Sequence, residues 1–266
     1  MPLMLALWAV AFLALISTAL LNTSTTSQKL TRNGLQSAQM EAAAEATVAR
    51  AILGLSEPNP TLRWRANMTG RRFKFHGMTA TIAIADEVGR IDLNVADRDL
   101  LFRLFQSAGA APEAANKIAD AILAQRMIPP QSGSANAGPD NLRTHKFRSV
   151  DEVLLIEGVT AELFKKVAPA LTVYSQRRMI DPNFAPPEAL HALPGMTKDA
   201  IQQLLQQRAS QTTTDALAPD LKGKTYRLHI DIEQTSRTHG YEAVIRYTDD
   251  PPHFYWVLDW RDAEIE

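Results

Sequence analysis

Two stretches of this chain place a glycine and a threonine where a backbone turn can bind an anion. The first runs Val150-Asp151-Glu152-Val153-Leu154-Leu155-Ile156-Glu157-Gly158-Val159-Thr160 and leads into Ala161-Glu162-Leu163-Phe164. The second runs Pro187-Glu188-Ala189-Leu190-His191-Ala192-Leu193-Pro194-Gly195-Met196-Thr197 and leads into Lys198-Asp199-Ala200-Ile201. Each reads as a short helix, a turn and a second helix. Gly158 and Gly195 supply permissive backbone, and Thr160 and Thr197 cap the helix that follows. This is the helix-hairpin-helix (SAM-like) pattern, whose turn amides can hold a DNA phosphate without reading sequence. A membrane-tethered DNA-binding module is therefore the alternative function. The same residues also make a compact packing unit. Glu157 and Asp199 beside the turns favour packing, and no nucleic acid is expected.

Other groupings offer less chemistry. Arg63, Trp64, Arg65, Arg71, Arg72, Phe73, Lys74 and Phe75 form a basic and aromatic stretch. It suits nucleic acid or lipid headgroups, but it suits the exposed face of an edge hairpin better, where cations discourage aggregation. Asp249, Asp250, Asp259, Asp262, Glu264 and Glu266 make an acidic tail against Arg261. Such acids, or those of Asp97-Arg98-Asp99, can hold a hard cation, and a structural calcium is conceivable. No spacing matches the twelve-residue calcium loop, so any metal ligands stay unknown. The six histidines are scattered and there is no cysteine. No metalloprotease helix, nucleophile elbow, Walker loop or dinucleotide fingerprint occurs. The expectation is a protein that is not an enzyme, with no catalytic residue and no required cofactor. The net charge of −1 provides no global field to recruit nucleic acid.

The elements that carry these residues change character along the chain. Met1–Leu21 is apolar throughout, and no charge appears before Lys29. About twenty such residues make a helix of roughly 30 Å, a bilayer core. The sequence thus predicts a transmembrane helix over 1–21, with Leu3, Leu5, Leu7, Trp8, Val10, Phe12, Leu13, Leu15 and Ile16 facing lipid and partner stems. A cleavable secretory signal is disfavoured by the length of the run and the missing basic start. Residues 22–55 continue the helix, rich in alanine and glutamate. Leu35, Ala38, Ala42, Ala46, Ala49 and Leu53 recur at helical spacing as a narrow partner-packing stripe. Gly54, with Pro58 and Pro60 beyond, offers the stop.

Strand patterns follow in two blocks. In the first, Phe73 and Phe75 alternate with polar residues, His76-Gly77 reads as a turn, and Thr79–Ile84 alternates again. In the second, Tyr226, Leu228, Ile230 and Ile232 share a face, as do Tyr241, Ala243, Ile245 and Tyr247. His239-Gly240 reads as the turn between these strands, and 254–260 is the last strand. Such alternation suits an antiparallel sheet with one buried face. Between the blocks the pattern is helical: Leu100, Leu101 and Leu104 share a face, as do Ala115, Ile118, Ala119 and Ile122. The Gly/Ser/Asn-rich 131–141 reads as a mobile loop. The expected domains are the membrane helix 1–21, its soluble continuation 22–55, a sheet domain from 56–96 and 209–266, and an inserted helical domain 97–208.

The order of several segments is distinctive: Asp86-Glu87-Val88-Gly89-Arg90-Ile91-Asp92-Leu93-Asn94, Phe147-Arg148-Ser149-Val150-Asp151-Glu152-Val153-Leu154, Leu171-Thr172-Val173-Tyr174-Ser175, Ile180-Asp181-Pro182-Asn183-Phe184-Ala185-Pro186 and Val257-Leu258-Asp259-Trp260-Arg261. Together with the apolar start, this order resembles general secretion pathway protein K, the large minor pseudopilin of type II secretion, over nearly the whole chain. The resemblance implies an α+β fold: a pilin-like long N-terminal helix on an antiparallel sheet, with a large all-α insertion. It implies a place at the pseudopilus tip, helping to start assembly and export folded proteins, with the minor pseudopilins I and J as partners. It also implies an inner-membrane, single-pass anchor with the body in the periplasm, and processing by prepilin peptidase if a leader preceded Met1. Leu5 stands where most pilin-like subunits carry glutamate, as is characteristic of this family. The segment 121–127 lacks the Asp-Trp-Arg-Asp often found there.

Overall fold

The computed structural model describes residues 2–126, 146–210, 220–234, 237–250 and 252–263, and in its first helix the side chains at 4, 6–10, 12, 13, 28 and from 31 onward. That helix, α1 (Pro2–Leu55), is unbroken. Thr47, a poor helix former, is accommodated because its Oγ1 donates to the Ala43 carbonyl at 2.7 Å. Gly54 is still helical, and its role is space: a Cβ there would lie 2.3 Å from the Trp64 ring. The chain then turns back, with the Trp64 amide donating to the Gly54 carbonyl at 2.8 Å. The guanidiniums of Arg50 and Arg71 lie 5.9 and 5.1 Å from the Trp64 ring centre.

One expectation is overturned here. Among the described residues, no helix is long and apolar enough to cross a membrane. This corrects both the transmembrane helix assigned to 1–21 and the single-pass inner-membrane placement that followed from it. The same continuous helix then carries the polar run Asn22-Thr23-Ser24-Thr25-Thr26-Ser27-Gln28.

Both strand blocks enter one antiparallel sheet. Its strands are β1 (Arg71–Phe75), β2 (Met78–Asp86), β5 (Thr225–Gln234), β6 (Arg237–Asp250) and β7 (His253–Ala263), in the order β1-β2-β5-β6-β7. His76 and Gly77 both have positive φ, as a tight hairpin turn between β1 and β2 requires. Period-two alternation turns Ala80, Ile82 and Ile84, then Leu228, Ile230 and Ile232, then Ala243 and Ile245 toward α1. Met40, Ala43, Ala44, Val48, Ala51, Ile52 and Leu55 meet them from the helix. Small side chains on the helix allow it to sit close to large ones on the sheet. His239-Gly240 is not the turn between β5 and β6. It lies within β6, paired with Ile232 and Asp231. A Cβ on Gly240 would lie 2.7 Å from the Ala263 carbonyl oxygen, so this glycine permits a close strand approach.

Between β2 and β5 the chain folds into helices around a second core, which includes Leu101, Leu104, Phe105, Ile118, Ile122 and Leu190. The helices are α2 (Arg98–Ser107), α3 (Pro112–Arg126), α4 (Ala161–Val167), α5 (Pro187–Leu190) and α6 (Lys198–Ser210). At their base a short parallel pair joins β3 (Ile91–Asp92) to β4 (Leu171–Thr172). The expected loop at 131–141 lies outside the described residues.

Register fixes where the insertion sits. It leaves at Asp86 and returns at Thr225, and Asp86 pairs with Tyr226. The α1 C-terminus is at that same end, where the Tyr247 hydroxyl donates to the Ile52 carbonyl at 3.0 Å. At the other end of the sheet Gln234 reaches Gln39 at 3.4 Å. The described α1 side chains before Met40 are exposed, except half-buried Gln36. The long N-terminal part of α1 therefore projects from one end of the sheet and the insertion occupies the opposite end.

Candidate assembly surface

The outward face of α1 carries the stripe read from the sequence. Leu35, Ala38, Ala42, Ala49 and Leu53 are exposed and Ala46 is half-buried. The sheet holds the opposite face, so this stripe remains available for another helix. Nearer the N-terminus, Leu7, Trp8, Val10, Phe12 and Leu13 are also exposed. The side chains of Leu3, Leu5, Leu15 and Ile16 lie outside the described set.

The two hairpin turns form as their residue types demand. Gly158 and Gly195 take positive φ of 92° and 76°. The Thr160 hydroxyl accepts from the Leu163 amide, and the Thr197 hydroxyl from the Ala200 amide, both at 3.2 Å. Both turns are exposed. A Cβ on Gly158 would touch Ile118 of α3 at 3.6 Å, so this turn also packs against the insertion's own core.

The segments whose order carries the family resemblance converge on one junction between insertion and sheet. Asp86 starts a 3₁₀ turn, Glu87–Gly89, by accepting from the Val88 amide at 3.1 Å. A Cβ on Gly89 would lie 2.2 Å from the Phe184 carbonyl oxygen, and the Asp181 amide donates to the Val88 carbonyl at 2.9 Å. Asn94 exchanges hydrogen bonds with the Phe147 backbone at 2.7 and 3.0 Å. Asp92 accepts from the Gln176 amide at 2.7 Å. Arg90 donates to the Pro169 carbonyl. Arg246 of β6 donates to the Tyr174 carbonyl at 2.7 Å.

At the centre lies a buried charge chain. Glu87 is 0% exposed and accepts from Arg227 at 2.7 Å and from the Thr172 hydroxyl. Arg227 also donates to Glu242 at 2.6 Å, and Glu242 accepts from Arg261 as well. Arg261 reaches Asp151 of the first hairpin at 3.8 Å. His229 stands 3.3 Å from Glu242. Burial alone would raise the Glu87 carboxyl, but Arg227 and Arg90 hold it below its ordinary value. Burial would likewise raise Glu242, and Arg227, His229 and Arg261 hold it down. Burial lowers His229. At Asp86 burial outweighs the Val88 amide and Lys224, which pull the other way, and pushes the carboxyl up to about 6. In this chain each buried carboxylate meets at least one guanidinium, and the chain ties the insertion to the sheet.

Sequence reasoning did not single out Glu87, Arg227 or Glu242. The signal was present: Arg227, His229 and Asp231 alternate with the apolar face of β5, so charge was to be expected on the far face. Only the fold shows that the insertion covers it. Among the described residues, no group of three or more His, Asp or Glu side chains is placed to hold a metal ion.

No protein-family model matches this chain, and no curated protein sequence does. A solved structure does: the crystal structure of the GspK-GspI-GspJ complex from the type 2 secretion system of enterotoxigenic Escherichia coli. The match covers 88% of this chain and 99% of that one, with a TM-score of 0.60 and 16% sequence identity. At that identity the likeness establishes the fold, a long helix on an antiparallel sheet with a helical insertion, shared with a chain of that complex.

Proposed function

We propose that this protein is a pseudopilin-like subunit of a type II secretion system that assembles with partners resembling pseudopilins I and J. The observation that carries this reading is the likeness to a chain of the GspK-GspI-GspJ complex over body and insertion together. The exposed face of α1 supports it, since a helix-on-sheet subunit that buries one helical face keeps the other for neighbours. Its task is structural, with no reaction to catalyse.

The finer reading is a cap at the filament end. It is supported by the placement of the insertion at the end of the sheet away from the projecting part of α1. A subunit stacked on that end would meet the helical insertion, so the protein starts a filament and does not extend it. Mixing the full chain with the I- and J-like pseudopilins of its own genome tests the assembly reading. A stable complex by size-exclusion chromatography and light scattering is expected, and three separately eluting proteins would sink it. Gold labelling of assembled pseudopili tests the cap: label at one end is expected, and label along the whole length would make the protein an ordinary subunit.

A further inference from the structure

The flank of α1 and the edge of the sheet enclose an open notch of about 350 Å³, lined by Ser37, Glu41, His239, Tyr241, Trp260, Arg261 and Asp262. Its walls are aromatic. The rings of His239 and Tyr241 lie 4.6 Å apart, and those of Tyr241 and Trp260 5.8 Å apart. Its rim is acidic, with Glu41 on the helix and Asp262 on β7. His239 reaches Asp262 at 3.1 Å. Tyr241 is only 5% exposed, yet among the described residues its hydroxyl has no hydrogen-bond partner. Glu41 and Asp262 both act on that hydroxyl, adding to burial in raising it above its ordinary value. Arg261 does not neutralise the notch, because its guanidinium is bonded to Glu242 on the other face of the sheet.

Aromatic faces with carboxylates at the rim suit an organic cation: the ring quadrupole and the acids attract the same charge. The acids are not grouped to hold a metal ion. Position narrows the occupant further. Glu41 stands three residues from Ala38, a neighbour on the helix surface, so the notch lies beside the N-terminal part of the exposed stripe of α1. Alanines there let a second helix approach to about 8–10 Å between axes, within reach of a long side chain.

We propose that this notch receives an arginine or lysine side chain from a partner subunit whose helix lies along the Leu35–Leu53 face of α1. The site deepens the assembly reading and rests on it for the identity of the occupant. Charge complementarity selects the basic side chain, and the adjoining helix face selects a helix to carry it.

Titrating the full-length chain with N-acetyl-arginine methylamide, and following the Trp260 indole resonance assigned through Trp260→Phe, tests the notch itself. Saturable shifts at millimolar concentration are expected, with none from the uncharged citrulline analogue. The double variant Glu41→Gln/Asp262→Asn should lose the shifts while its circular dichroism and melting temperature stay unchanged. Equal shifts with citrulline, or in the double variant, overturn the proposal. In a second arm the same variant should bind the I- and J-like pseudopilins about tenfold more weakly. Undiminished binding overturns the notch and leaves the assembly reading standing. No partner binding by the unaltered protein, with the arginine titration intact, overturns the assembly reading and leaves the cation site. Self-association that the double variant abolishes would make a second copy the occupant and overturn the proposal.

Discussion

Gly89 has no room for a methyl group, because a Cβ there would stand 2.2 Å from a backbone oxygen that cannot swing aside. Gly89→Ala should therefore force the 180–185 segment off the 3₁₀ turn and cost about 2–3 kcal/mol, read as a drop in the urea midpoint. Gly34 offers the opposite case: nothing lies within 4 Å, and it sits in an exposed helix interior. Gly34→Ala should stabilise α1 by about 0.5–1 kcal/mol, measured as increased helicity on heating. Asp86 makes a prediction with a pH signature. Its carboxyl is raised from 3.8 to about 6, chiefly by burial. A raised acid favours folding when protonated, so its contribution is present at low pH and is lost as pH rises through about 6. Asp86→Asn keeps an oxygen to accept from the Val88 amide and removes the buried charge. The variant should exceed the unaltered protein by about 1–3 kcal/mol at pH 7.5 and match it near pH 4. Urea unfolding at the two pH values checks this, and an equal difference at both would place the cause elsewhere.

At the scale of elements, the question is what holds the insertion to the sheet. The answer is one buried chain of charges reinforced by backbone hydrogen bonds. Arg227→Met would leave Glu87 buried without its closest cation, at a cost of about 3–5 kcal/mol. Adding Glu87→Gln should recover part of that loss, which a purely steric defect at position 227 would not allow. Glu87 and Glu242 are depressed acids, so their stabilisation is present above the ordinary value of 4.5 and is lost as pH falls below it. The double variant should lose the Glu87 part of this acid limb in its pH–stability curve, while Glu242 keeps its bond from Arg261. None of this was named from the sequence, whereas the sheet was. Alternation in Thr79–Ile84, Thr225–Ile232 and Tyr241–Tyr247 is a strong local signal, since one face of each strand is buried. On α1 the signal failed to separate the faces, because alanine occupies both. Ala43, Ala44 and Ala51 turn inward; Ala38, Ala42 and Ala49 turn outward. Periodicity found a helix and a stripe, but only packing tells which stripe the sheet covers. The His239-Gly240 turn failed for a related reason: glycine marks either a turn or a close approach, and here the nearby Ala263 backbone decides. A charge junction spread over positions 87–261 has no local pattern to read.

At the scale of the whole molecule, the two apolar cores are separate clusters, one between α1 and the sheet and one within the insertion. The strands that flank the insertion are antiparallel neighbours, with Asp86 beside Tyr226. The sheet therefore does not need the insertion to close. Replacing residues 88–224 by a short Asn-Gly turn would convert β2 and β5 into an ordinary hairpin. Arg227, Glu242 and Arg261 would then lie on a surface open to water, where they need no buried partner. The trimmed chain should remain folded, with the helix-on-sheet core intact by circular dichroism and by amide exchange protection at Ile82, Ile230 and Ile245. Loss of that protection would mean the insertion is part of one cooperative unit. If the trimmed chain folds, it also decides between cap and ordinary subunit. Removing the helices clears the end of the sheet opposite the projecting part of α1, and another subunit can then occupy it. Labelled trimmed protein should appear along pseudopili, while the full chain stays at one end. If the trimmed protein also remains at one end, the insertion is not what stops growth, and the cap function would have to reside in α1 itself.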